Sequence, residues 1–355
     1  MKNILLLLLF CVLISCKNEK SSNTYSYNLK ASEIIKSFVL DSDVKYNAFY
    51  LYTFSDDKGK EYLTFLNYRT NQILFYDLET TDFLFKLNLN SEGPHGVVQP
   101  TGLYVKDLNH IYVSSYVYSG LMRVDTTCHI IQKIPYGITS KGYNVLPSYT
   151  PSSHPYIAPV IIDKKIYITQ NAIDRFHPIV DTPLSVVIDT VQKSCEDLPL
   201  TYGILTEKEL AIKDPRFSRV FNGKEFIYSF YVSEDIVVTS VDHSEVKKIS
   251  VKSKYLDSPI VKQEVSERGP QLNLELARYG DLIYDPYREV YYRFVYPKTT
   301  LEDNIRWWGK SVYGRKKFSV IILNKDFQII GETLFPESIY NSYVFFVHKD
   351  GLYIS

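Results

Sequence analysis

Two kinds of hairpin alternate along this chain, and the alternation restricts the fold more than any other feature. In the first kind an apolar run ends in Asp or Asn and a second apolar run follows. It recurs at Asn28, Asp77, Asp125, Asp189, Asp242 and Asn324. Asp and Asn suit such a place because their side chains bond the backbone two residues on and tolerate turn geometry. The second kind turns near Asp57 and Asn109, after Asp163, and at Asn222-Gly223, Asp285-Pro286 and Asp350-Gly351. Asn-Gly and Asp-Gly pairs carry the strongest short-range hairpin signal, since both central residues need positive φ. The 31 Tyr and 19 Phe of the chain favour strands in the same segments.

Six hairpins of each kind make twelve hairpins, or 24 strands, or six four-stranded sheets. Repeated four-stranded units fit an all-β fold, a six-bladed β-propeller of antiparallel blades. The series starts with a hairpin of the first kind and stops with one of the second. The last blade is therefore expected to close by pairing residues 340–355 with strands from residues 24–40, which removes an open sheet edge. Two β-sandwich domains are the competing arrangement, but they leave the alternation without a cause. A shortened gene product is another explanation of a chain that stops inside a strand signal at Ser355.

The first residues read as an address. Lys2 precedes an unbroken apolar run over residues 4–14. Eleven residues fall short of the ~20 that a membrane-spanning helix needs, so the run fits a signal-peptide core. It ends in Leu13-Ile14-Ser15-Cys16, which resembles a bacterial lipobox. That resemblance implies a signal peptide over residues 1–15 and a lipid on Cys16; a polar tether follows over residues 16–23, and the hairpin series places the propeller over residues 24–355. The lipobox resemblance also implies a protein held to a membrane through that lipid at the cell envelope, in the outer membrane by the residues that follow Cys16. Forty Lys+Arg balance forty Asp+Glu, and a general nucleic-acid binder needs a basic surplus. Besides Cys11 and Cys16 only Cys128 and Cys195 remain. A bond between them is one reading of an oxidising envelope. No CxxC or HExxH spacing calls for a metal, and no cofactor motif is present.

Several stretches are similar to one family. They are the Asn67 and Asn71 turn, Glu92-Gly93-Pro94 followed by Gly96, the Tyr112 strand, and the segments FNGKEFIYSF and KSKYLDS. Together they resemble the TolB-like six-bladed propeller lipoproteins of Bacteroidota grouped as domain of unknown function 4221. The resemblance covers most of residues 46–355. It implies the same fold and location, and no catalytic residue.

Long loops on a rigid scaffold are the usual seat of function. The long links between expected blades, at residues 90–100, 137–155, 201–215 and 253–280, share one face with the long middle turns at residues 171–183 and 297–316. Residues 91–97 are Gly-rich but lack phosphate-loop spacing, so their glycines are expected to let the chain cross between blades. His95 lies among them. Residues 171–183 carry Arg175 and His177; their bland reading is a solvated loop. Residues 301–317 hold both tryptophans, Trp307 and Trp308, with Arg306 nearby. Such a group suits sugar stacking or a peptide contact, or plugs the propeller mouth. The starts of the inner strands read Asn47, Thr101, Tyr156, Arg219, Asp281 and Asn341, too poor in carboxylates for a calcium site. Arg219 and Tyr156 join the binding candidates. Thr206 and Glu209 have capping-box spacing, which predicts a short helix. The reading favoured is an envelope lipoprotein that binds a peptide, glycan or partner protein. The alternative is a propeller hydrolase or lyase on a carbohydrate, with Asp281, Glu302 and Asp303 as available carboxylates.

Overall fold

A computed structural model describes residues 26–40, 44, 51–67, 70–93, 96–115, 117–136, 139, 156–170, 179–262, 274–301 and 314–355. The signal peptide, Cys16 and the tether lie outside the described residues. The described residues form five four-stranded antiparallel sheets and one two-stranded sheet. The first sheet holds β1 (Tyr52–Ser55), β2 (Glu61–Asn67), β3 (Gln72–Asp77) and β4 (Phe83–Asn88). The second holds β5 (Pro100–Asp107), β6 (His110–Ser115), β7 (Gly120–Val124) and β8 (Ile130–Pro135). The third holds β9 (Val160–Ile162), β10 (Lys165–Thr169), β11 (Ser185–Asp189) and β12 (Ser194–Asp197). The fourth holds β13 (Phe217–Phe221), β14 (Phe226–Phe230), β15 (Asp235–Thr239) and β16 (Val246–Ser250). The fifth holds β17 (Arg278–Asp285), β18 (Val290–Tyr296), β19 (Ser319–Leu323) and β20 (Ile329–Leu334). A hairpin of β21 (Phe345–His348) and β22 (Gly351–Ile354) ends the chain.

The turn chemistry read from the sequence is what joins these strands. Asp77 Oδ1 accepts from the backbone N–H of Glu79 and Thr80, and Asp189 Oδ1 from those of Val191 and Gln192. Asp125 and Asn324 do the same two and four residues on. Asn222 and Asp285 repeat the pattern in the second kind of turn. The helix forms too: α1 (Glu207–Ala211) carries the reciprocal Thr206–Glu209 capping box. In the link after the first sheet, Gly93 takes φ +83, the crossing role expected of it.

The propeller is closed by hydrophobic packing between consecutive sheets. Ile73, Phe75 and Val97 pack with Leu103 and Val113 between sheets one and two. Separate clusters fill the spaces between sheets two and three, three and four, and four and five. Phe294 and Val320 meet Phe345 and Val347 between sheet five and the hairpin. Leu63, Phe65 and Leu74, with Val344 and Phe346, fill the last space, between the hairpin and sheet one. The first strands lie innermost: β1 meets β5, β13 meets β17, and β17 and β1 each meet β21.

The blade count differs from the expected six. Among the described residues there are five four-stranded blades, and the sixth position holds two strands. The N-terminal strands expected to complete it do not form among the described residues. Residues 26–40 make a single parallel bridge, Tyr27 to Gly331, on the outer strand of sheet five. The reason lies in where the backbone groups go. Leu29 N–H donates to Thr333 Oγ1 at 2.7 Å and Ile34 N–H to Ser32 Oγ at 2.9 Å, so donors a ladder would use are taken by side chains. The segment runs as a strap instead. Phe38 and Leu40 pack inward at the closing cluster. Tyr76 donates its hydroxyl to the Val39 carbonyl at 3.0 Å. Ile35 and Val39, each 82% exposed, point outward. Cys128 and Cys195 are free thiols, so the pairing entertained for an oxidising envelope is not made.

Candidate functional site

At the end of the channel where the first strands finish lies a cavity of about 570 Å³. Phe54 comes from sheet one, Tyr104 from sheet two, Val160 from sheet three, Phe221 from sheet four, Tyr284 from sheet five and Val347 from the hairpin. Every position of the ring therefore supplies wall. The cavity opens on the face of the Asp and Asn turns, opposite the long links on which the sequence reading placed the site. A signal for it was present: Phe54, Tyr104, Phe221 and Tyr284 each stand within three residues before a turn Asp or Asn. Each lies near the end of the first strand of its sheet.

Tyr156 lines this cavity. Its backbone N–H donates to Asp281 Oδ1 at 3.0 Å, and its carbonyl accepts from Arg219 N–H at 2.8 Å, so the residue bridges β13 and β17. Its ring packs against the clusters on both sides of sheet five. Burial pushes its hydroxyl up to about 12. Tyr104 is pushed up as well, first by burial and then by Tyr156 beside it. Both phenols are neutral at ordinary pH.

Arg219 contributes differently. It is 1% exposed, and its guanidinium donates to Ser185 Oγ (2.7 Å), the Ala158 carbonyl (2.8 Å) and the Tyr167 carbonyl (3.0 Å). It lies over the ring of Phe226 at 4.9 Å. The charged end thus ties sheet three to sheet four behind the cavity wall. Ser185 also contacts the Tyr228 hydroxyl at 2.7 Å, and Tyr228 reaches His243 Nε2 at 2.6 Å. Burial holds His243 down at about 4, with Arg219 as the second cause.

A polar chain borders the cavity at the sixth position. Glu61 Oε1 accepts from the Tyr287 hydroxyl, and Glu61 Oε2 meets His348 Nε2 at 3.0 Å. His348 Nδ1 meets Asp350 Oδ2 at 3.0 Å, and the His348 side chain is fully buried. Burial and then the Glu61 carboxylate raise the Tyr287 hydroxyl. Arg288 pairs with Asp285 at 2.9 Å and donates to the His348 and Lys349 carbonyls. Sequence reading missed Glu61, Tyr287 and His348 because their meeting depends on ring closure between residues 226 and 287 positions apart.

The other sequence candidates divide plainly. His95, Arg175, His177, Arg306, Trp307 and Trp308 lie outside the described residues, as do Asn47, Glu302 and Asp303. Thr101 Oγ1 contacts Ser114 Oγ at 3.3 Å, and Asn341 Oδ1 accepts from the Tyr343 N–H. Asp281 is buried and accepts from Tyr156 N–H and the Tyr231 hydroxyl. Among the described residues no group of three or more His, Cys, Asp or Glu is placed to hold a metal ion.

Residues 26–334 match the model of one protein family, the domain of unknown function 4221. The chain belongs to the DUF4221 family. A crystal structure of a DUF4221 member from Bacteroides vulgatus is similar over 90% of each chain, with 26% sequence identity and a TM-score of 0.74. A TolB homologue from Agrobacterium tumefaciens is similar at 14% identity, over 86% of this chain and 89% of that one, with a TM-score of 0.45. An exported protein from Bacteroides fragilis is similar at 12% identity, over 85% and 80%, with a TM-score of 0.45. No curated protein matches this DUF4221 chain in sequence. Among its described residues, no helix is long and apolar enough to cross a membrane.

Proposed function

We propose that this protein is an envelope-anchored lipoprotein whose propeller binds a ligand in the cavity at the turn-face end of its channel. The observation that carries the reading is the cavity itself: about 570 Å³ and walled from every position of the ring. Small-molecule sites commonly occupy ~300–1,000 Å³ and combine apolar walls with a few placed polar groups. The anchoring half of the proposal rests on the apolar run that stops at Cys16. One lipid chain anchors only marginally, so the full set of acyl chains implied at a lipobox cysteine is what holds the protein at the membrane.

The test has two arms. Full-length protein and a Val160→Trp variant, which fills the cavity, are incubated with a fractionated envelope extract, and bound small molecules are identified by mass spectrometry. A compound retained by the first and lost by the second supports the site; equal retention by both, or none by either, overturns it. Palmitate labelling and detergent partitioning of a Cys16→Ala variant test the anchor, which fails if labelling and partitioning are unchanged. The loop with Arg306, Trp307 and Trp308, with Arg175, His177 and His95, remains the proposed contact for a macromolecular partner. Loss of partner capture by Trp307→Ala or Trp308→Ala at unchanged melting temperature supports that contact.

A further inference from the structure

We infer that the cavity takes a neutral saccharide, an inference that rests on the reading of the cavity as a binding site. Charge is the first argument. The lining side chains include one carboxylate, Glu61, and one guanidinium, Arg219. Both oxygens of Glu61 are engaged, by the Tyr287 hydroxyl and by His348 Nε2. The guanidinium of Arg219 donates to Ser185, Ala158 and Tyr167 behind the wall. An ion entering here loses its water and finds its natural counter-charges already matched, a cost that grows with burial. The site therefore favours an uncharged ligand.

The walls supply the second argument. Six aromatic side chains surround the space: Phe54, Tyr104, Tyr156, Phe221, Tyr284 and Tyr287. The flat C–H faces of a sugar ring match aromatic faces. Its hydroxyls match groups that donate and accept at once, which phenols, Ser and Thr hydroxyls and Asn do. Four of the six aromatics are tyrosines, and Thr53, Ser55 and Asn222 stand between them.

The experiment uses the full-length protein in detergent with a panel of neutral disaccharides and trisaccharides that differ in linkage and sugar. Uronic-acid and amine-bearing analogues serve as charged counterparts. Calorimetry and saturation-transfer NMR read binding. At least one neutral member is expected to bind at millimolar affinity or tighter, with its charged counterparts weaker. Tyr284→Ala is expected to weaken it about tenfold or more, while Tyr284→Phe keeps the stacking and loses less. Melting temperatures of both variants should stay close to that of the parent, which separates lost contact from lost fold. Binding only by charged members overturns the inference. So does binding that Tyr284→Ala and Val160→Trp both leave intact. If the envelope extract yields a non-saccharide compound displaced by Val160→Trp, the saccharide class is wrong and the cavity is still a binding site. If neither panel nor extract yields a ligand, both readings fall.

Discussion

The interface between sheets four and five and the seam at the sixth position do the same job with different materials. Between sheets four and five, Ile227, Ile236, Leu282, Val295, Ile321 and Leu323 are fully buried. Arg293 lies within this interface over the ring of Tyr279 at 4.0 Å. It donates to Ser229 Oγ and to the carbonyls of Ser233, Glu234 and Val251. Burial holds its guanidinium down at about 10. The seam has two strands where the other positions have four, and all four residues of β22 remain half-exposed. A two-stranded hairpin has little apolar area to offer both neighbours. Polar links supplement it: His348 to Glu61 and Asp350, Lys349 to Glu79 at 2.9 Å, and Arg288 to two hairpin carbonyls. The comparison teaches that ring closure demands contact on both flanks, while what makes the contact depends on how much sheet is there.

Removing the hairpin altogether should break the ring most severely. A chain ending at Ser338 exposes the apolar faces of sheets one and five together, and it is expected to lose near-ultraviolet circular dichroism and cooperative unfolding. A soluble, cooperatively melting product would mean that the hairpin is an accessory rather than the closing piece.

Arg293→Met comes next. It removes the donors that several buried carbonyls use, and unmet buried polar groups cost about 1–3 kcal/mol each. We expect a loss of ~3 kcal/mol or more in denaturant unfolding. A loss under ~1 kcal/mol would show that sheets four and five hold together by apolar packing alone.

Acid should act first at the neighbouring interface, between sheets three and four. His243 sits at about 4 in the fold against an ordinary 6.5, so its neutral form is favoured by folding. That contribution is whole above pH ~6.5 and is lost as pH falls towards ~4, up to ~3 kcal/mol in all at 1.36 kcal/mol per unit. His243→Phe should flatten this part of the stability–pH curve. An unchanged curve would place the acid-sensitive group elsewhere.

His348→Gln tests the seam. Loss of links to Glu61 and Asp350 should cost ~1–2 kcal/mol, as hydrogen bonds to charged groups commonly do. Amide exchange should quicken in β21 and β22 while β14 stays protected. Equal quickening in both would mean that the seam has no independent opening. The smallest effect is expected from Gly331→Ala. A Cβ there meets the Tyr27 carbonyl, so the strap must shift. A single bridge is at stake, and about 1 kcal/mol or less should be lost in thermal unfolding.

Much of the scaffold was legible in the sequence. Asp77, Asp125, Asp189, Asn222, Asp285 and Asn324 announce their turns because each side chain bonds backbone within four residues of itself. The Thr206–Glu209 cap was legible for the same local reason. The blade count was not. Residues 28–40 carry a strand-like apolar pattern, yet Leu29 and Ile34 donate to side-chain hydroxyls rather than to a ladder. The cavity was legible only in part. Aromatics stand before the turns, but their convergence needs the ring.

What the sequence by itself determined is therefore local: strand periodicity, turn positions and a helix cap. Each follows from bonds and sterics within a few residues. Tertiary structure alone decided that five blades are complete and the sixth position is a hairpin. It also decided that Arg219 ties sheet three to sheet four through Ser185 and the Tyr167 carbonyl, and that Glu61 meets His348 across 287 positions. Those outcomes depend on which surfaces closure brings together, and closure is a property of the whole ring.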